Sequence, residues 1–94
     1  MAQYLVVARD GTDSEAPNRR LAARQAHLDN AKSLVQAGNI ISGGAILNET
    51  GGMIGSAMMV DFADPDQLNA WLETDPYTTG NVWQTFEITP IRLV

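Results

Sequence analysis

The spacing of apolar positions changes several times along the chain, and each change marks an element. Residues 3–9, "QYLVVAR", form a short β-branched and aromatic run that fits a strand. Turn chemistry follows in "DGTDSEAPN", where Ser14 or Asp13 is available as a helix cap and Pro17 falls in a first turn. From about Glu15 to Ala37 the period is helical. Leu21, Leu28 and Val35 recur every seven residues, with Ala31 and Leu34 on the same face, which predicts a helix buried along that stripe. Gly38 and Asn39 end it, since both tolerate a left-handed backbone.

Residues 40–47 and 53–62 read as two strands joined by the hairpin loop "NETGG". In "DPDQLNAWL", Asp64 is a cap, Pro65 takes the first helical position and Gln67 is placed for a capping-box bond. Leu68, Trp71 and Leu72 form the buried face of that helix. The segment "TDPYTTGN" interrupts as a loop, and residues 82–93 make a last strand that Pro90 confines to an edge or a bulge. The order β-α-β-β-α-β predicts an α+β, ferredoxin-like split βαβ fold, one antiparallel sheet with both helices on one face, as a single domain over residues 1–94.

A sheet with one wet face alternates apolar and polar residues. The third strand does not: it offers Ile54, Met58, Val60 and Phe62 on one face and Met53, Ala57 and Met59 on the other. The first strand is apolar on both faces too. Two helices cover one face only, so a second copy of the chain is expected on the other, as a homodimer joined sheet to sheet.

Composition narrows the function classes. The net charge of −5, without a run of Lys or Arg, disfavours nucleic acid and anionic membranes. No apolar run approaches the roughly 20 residues that span a bilayer. The N-terminal "MAQYLVV" enters a strand without a charged leader, so a cytoplasmic location is the expectation. With no cysteine and one histidine, a zinc site is disfavoured and no metal or other cofactor is expected.

Chemistry centres on that histidine. His27, in "RQAHLDN", falls at the border of the helical stripe between Ala23 and Ala31, with Arg20 and Arg24 on the same side. It is either a partly buried ring satisfied by a carbonyl and water or a general acid/base, with the arginines holding an anionic substrate. Asp75, in "TDPYTTG", reads first as a helix cap before proline. Its loop precedes the last strand, and the topology permits it to approach the first helix and orient the imidazole. Tyr77 and Trp83 are either core aromatics or pocket walls, and the methionines of the third strand read as packing.

Together "RQAHL", "GGAI", "GGMIGS" and "DPYTTG" resemble, in the right order over nearly the whole chain, the YciI-like family, also called the YCII-related domain. The resemblance implies a dimeric α/β barrel and an active site in which His27 pairs with Asp75. Arg24 matches the arginine that precedes that histidine in the family. Where relatives often carry Gly-Pro, this chain has Gly44-Ala45, so its pocket wall departs there. One branch resembles a dehydrochlorinase, and related barrels include isomerases and monooxygenases.

The expectation is therefore a small cofactor-independent enzyme moving protons on a small polar or aromatic molecule. His27 is its acid/base and Asp75 the orienting partner, while Arg24, Gly44 and Tyr77 bind the substrate. The alternative is a non-catalytic protein that binds a small ligand in the same pocket. Haem ligation by His27 and RNA binding are weaker readings, the latter opposed by charge and by the lack of stacking aromatics.

Overall fold

Val6, Ala8, Met58, Val60 and Phe62 all point to one side of a four-stranded antiparallel sheet, and the helices close over them. The computed structural model describes residues 2–94. It runs β1 (Ala2–Asp10), α1 (Ala16–Gln36), β2 (Ile40–Leu47), β3 (Met53–Phe62), α2 (Pro65–Thr74), α3 (Pro76–Thr79) and β4 (Trp83–Ile91). The strand order is β2-β3-β1-β4, the ferredoxin-like arrangement that the element order predicts. Pro90 sits on the edge strand β4, opposite Tyr4, where its missing N–H costs no central hydrogen bond.

Two expectations about α1 are corrected. Leu21, Leu28 and Val35 do not form its buried stripe; they are 70%, 41% and 54% exposed. The helix seats instead through Ala16, Arg20 and His27, which are buried, with Ala23, Ala31 and Leu34 partly so. These positions follow a spacing of three and four and so share one face. Each apolar residue of the seven-residue repeat follows a seated residue by one position, about 100° around the helix. Neither Ser14 nor Asp13 caps the helix. Glu15 is the N-cap residue and makes no side-chain capping bond.

Asp13 acts one step earlier. It accepts a bond from the Glu15 N–H at 3.2 Å, and both its oxygens take Arg19 guanidinium bonds of 2.7 Å. The Arg19 bond lowers the Asp13 carboxyl from 3.8 to about 2, while Asp13 in turn raises the Arg19 guanidinium. Arg19 Nε also donates to the Asn81 carbonyl at 2.9 Å, tying the β1–α1 turn to the start of β4. At the other end of α1, Gly38 supplies the left-handed φ of +82° that stops the helix.

Asp64 caps α2 as its sequence signature predicts, its Oδ1 accepting the Gln67 N–H at 2.9 Å. The following segment is not a plain loop. Pro76–Thr79 makes one helical turn, because Asp75 Oδ1 accepts the Tyr77 N–H at 2.9 Å and Pro76 occupies the first position. The opposite sheet face carries the registered pairs Leu5–Met59 and Val7–Ala57, and these four apolar side chains are half-buried with no helix over them.

Candidate active site

Asp75 brings three elements together. It ends α2 and starts α3, and its carboxylate is fully buried. Its Oδ2 accepts the Trp71 indole N–H at 3.0 Å, and His27 Nδ1, from the middle of α1, lies 2.7 Å from its Oδ1. An ionised carboxylate only accepts, so His27 Nδ1 carries the proton of this contact, and whenever the ring is neutral its lone pair falls on Nε2. Capping and contact with His27 are thus compatible roles of one carboxylate.

The imidazole is fixed on its faces as well. It stacks on Tyr77 at a centroid distance of 3.8 Å and an interplanar angle of 12°, with Trp83 edge-on at 5.3 Å. Ala23 and Ala31, one turn to either side, leave space beside the ring.

A second buried network adjoins the first. Arg20 Nη1 lies 2.9 Å from both Asp10 oxygens, at the end of β1, and Arg20 Nη2 donates to Ser56 Oγ at 3.1 Å. Trp83 Nε1 donates to the same Ser56 oxygen at 3.1 Å. The Arg20 guanidinium carbon stands 4.7 Å over the Tyr77 ring, a cation–π geometry. Burial pushes the Tyr77 hydroxyl upward, with Arg20 and Arg24 pulling the other way. Tyr77 therefore stays a neutral ring through the physiological range.

Both networks open onto a cleft of about 560 Å³ between α1 and the β2–β3 hairpin. His27, Tyr77, Arg20, Arg24 and Ser56 line it, with Leu28, Val35, Met53 and Met58 as apolar walls. This is where the misplaced stripe of α1 goes: Leu28 and Val35 border the cleft. Arg24 is exposed at its edge and, among the described residues, makes no ion pair or side-chain hydrogen bond.

The two glycines of β2 differ. A Cβ on Gly43 would stand 2.8 Å from Met58 Cγ and 2.9 Å from the Ala57 carbonyl, whereas one on Gly44 meets nothing within 4 Å. Close sheet packing requires Gly43, whereas Gly44 pairs with Ala57, so a side chain there would leave from the opposite sheet face and Gly44 meets the cleft through its backbone. All five residues singled out from the sequence, His27, Asp75, Arg24, Gly44 and Tyr77, fall in or directly behind this cleft.

Sequence reasoning missed Asp10, Ser56 and the indole donors of Trp71 and Trp83. Ser56 left a readable signal: it is a polar residue in the core-facing register of Met58, Val60 and Phe62. Among the described residues no group of three or more His, Cys, Asp or Glu could hold a metal ion. No helix there is long and apolar enough to cross a membrane.

Residues 2–92 match the YCII-related domain. Protein YciI of Escherichia coli O6:H1 and Protein YciI of Shigella flexneri are each 29% identical to the chain over 97 aligned positions, covering 97% of this chain and 97% of the relative. Among solved structures, the 5-chloro-2-hydroxyhydroquinone dehydrochlorinase of Burkholderia phenoliruptrix AC1100, in complex with 2,5-dihydroxybenzoquinone, superposes with a TM-score of 0.85. It is 22% identical, with 96% of this chain and 93% of that one covered. An antibiotic biosynthesis monooxygenase superposes with a TM-score of 0.55 at 11% identity, covering 100% and 99%. At these identities the two structures share the fold.

Proposed function

The chain belongs to the YCII-related domain family, and from that premise we propose that it is a small enzyme that moves protons on a small polar or aromatic molecule. The observation carrying this reading is the 2.7 Å contact between His27 Nδ1 and a fully buried Asp75 carboxylate, at the wall of an open cleft. Held this way, His27 presents Nε2 as general base and, once protonated, as general acid. Asp75 orients the ring. Arg24 supplies a free positive charge for an anionic substrate, while Gly44 and Tyr77 shape the cleft. Elimination and isomerisation suit this equipment, because both proceed by proton transfer without a nucleophile or a metal.

The dehydrochlorinase of similar fold supplies a first probe, 2,5-dihydroxybenzoquinone. In D2O, the wild-type protein is expected to accelerate exchange of its ring hydrogens, followed by proton NMR. Binding of the probe without any acceleration favours the alternative, a protein that holds a small ligand and leaves it unchanged.

We also propose that two chains pair through the open sheet face. Leu5, Val7, Ala57 and Met59 lie side by side there in register, and a second copy buries them at the same time as its own. Light scattering is expected to give a particle of two chains; a monomer at micromolar concentration contradicts the pairing.

A further inference from the structure

Ser56 receives hydrogen bonds from two sides. Its Oγ accepts from Arg20 Nη2 and from Trp83 Nε1, both at 3.1 Å. A hydroxyl has two lone pairs and one proton, whereas a guanidinium and an indole are donors only. Both lone pairs are thus used, and neither neighbour can receive the proton. Among the described residues Ser56 donates to nothing. The residue is 4% exposed yet lines the cleft, so its proton has no partner until something enters. Arg20, 5% exposed and lining the same cleft, also keeps its buried Nε without a partner. Buried donors in folded proteins are nearly always satisfied, so the Ser56 hydroxyl at the cleft wall points to an acceptor supplied from the cleft.

We propose that Ser56 is a donor-only contact for a ligand oxygen, and that the cleft selects molecules carrying an electron-rich oxygen of the carbonyl, enolate or phenolate kind. Arg20 and Trp83 set this selectivity by occupying the serine's lone pairs: a ligand N–H or O–H donor at the same place finds no acceptor. An anionic oxygen is further favoured by Arg24 at the cleft edge.

The proposal deepens the proton-transfer reading and rests on it for its chemical use. When His27 Nε2 takes a proton from carbon beside a carbonyl, the C–H electron pair becomes a C=C bond. The carbonyl π pair moves onto oxygen as an enolate, and His27 becomes imidazolium. The Ser56 hydroxyl is placed to bond that oxygen more strongly as its charge grows.

The test uses two probes of similar size, 4-fluoroacetophenone, whose oxygen only accepts, and 1-fluoro-4-isopropylbenzene, which has no hydrogen-bonding group, with binding read by fluorine NMR. Wild type is expected to prefer 4-fluoroacetophenone. Ser56→Ala should weaken 4-fluoroacetophenone about three- to tenfold, the range for losing one neutral hydrogen bond, and leave 1-fluoro-4-isopropylbenzene unchanged. Equal wild-type affinity for the two probes overturns the proposal, as does an unaltered 4-fluoroacetophenone affinity in the variant. A parallel loss of both probes also overturns it, because that reports a collapsed cleft rather than a lost donor. The protonation of His27 is independent of these outcomes, so failure here leaves the acid–base reading to its own measurement.

Discussion

Asp75→Ala is expected to destabilise the fold by about 3–5 kcal/mol, the range for removing one partner of a buried ion pair or charge-assisted network. Three donors converge on the lost carboxylate: the His27 ring, the Trp71 indole and the Tyr77 backbone N–H. Among the described residues none of the three has another acceptor, and the Asp75 carboxylate is fully enclosed. The variant also removes the cap of α3, worth about 1 kcal/mol alone. Urea denaturation reads the change as a lower midpoint at unchanged slope. Asp75→Asn keeps the shape and one acceptor oxygen, so it should lose less. A loss below about 1 kcal/mol in the alanine variant would show that the three donors find other partners.

His27→Gln is expected to slow deuterium exchange into 2,5-dihydroxybenzoquinone by about 10²–10⁴, the usual contribution of a positioned general acid–base group. Glutamine still offers an N–H toward Asp75, so the buried network keeps a donor and the fold should persist. It lacks a nitrogen that can take a proton near neutral pH. The measured quantity is the ratio of exchange rates at saturating probe for wild type and variant. A ratio near one would assign any acceleration to groups other than His27.

The strands were legible because their side-chain period is two and their neighbours are local turns. Asp64–Pro65 announced its helix for a similarly local reason. The helical stripe of α1 misled because the strongest apolar repeat, Leu21, Leu28 and Val35, borders a cleft and solvent. The seated face carries an arginine and a histidine whose cost of burial is met by Asp10, Ser56 and Asp75, all on other elements. Burial of that kind depends on partners that periodicity cannot see.

The candidate site was legible in part for the same physical reason. A lone histidine between small alanines and an Asp-Pro step are local signals; the first falls at the cleft and the second directly behind it. The double role of Asp75 is not local. A capping signature already explained the residue, and only the path of the chain around α3 brings His27 within 2.7 Å. Ser56 carried no motif; what marks it is the pair of donors that the fold aims at one oxygen.

We propose that Asp75 holds the proton of the neutral His27 ring on Nδ1 and leaves Nε2 bare as the working base. Nitrogen NMR of the single histidine tests this directly, because protonated and bare ring nitrogens resonate far apart. With the ring neutral, Nδ1 is predicted to carry the proton and Nε2 to appear as the bare nitrogen, a preference that weakens in Asp75→Asn. A ring protonated on Nε2 in the wild-type protein, or a preference unchanged by the substitution, would mean that Asp75 does not set the tautomer and Nε2 is not the base.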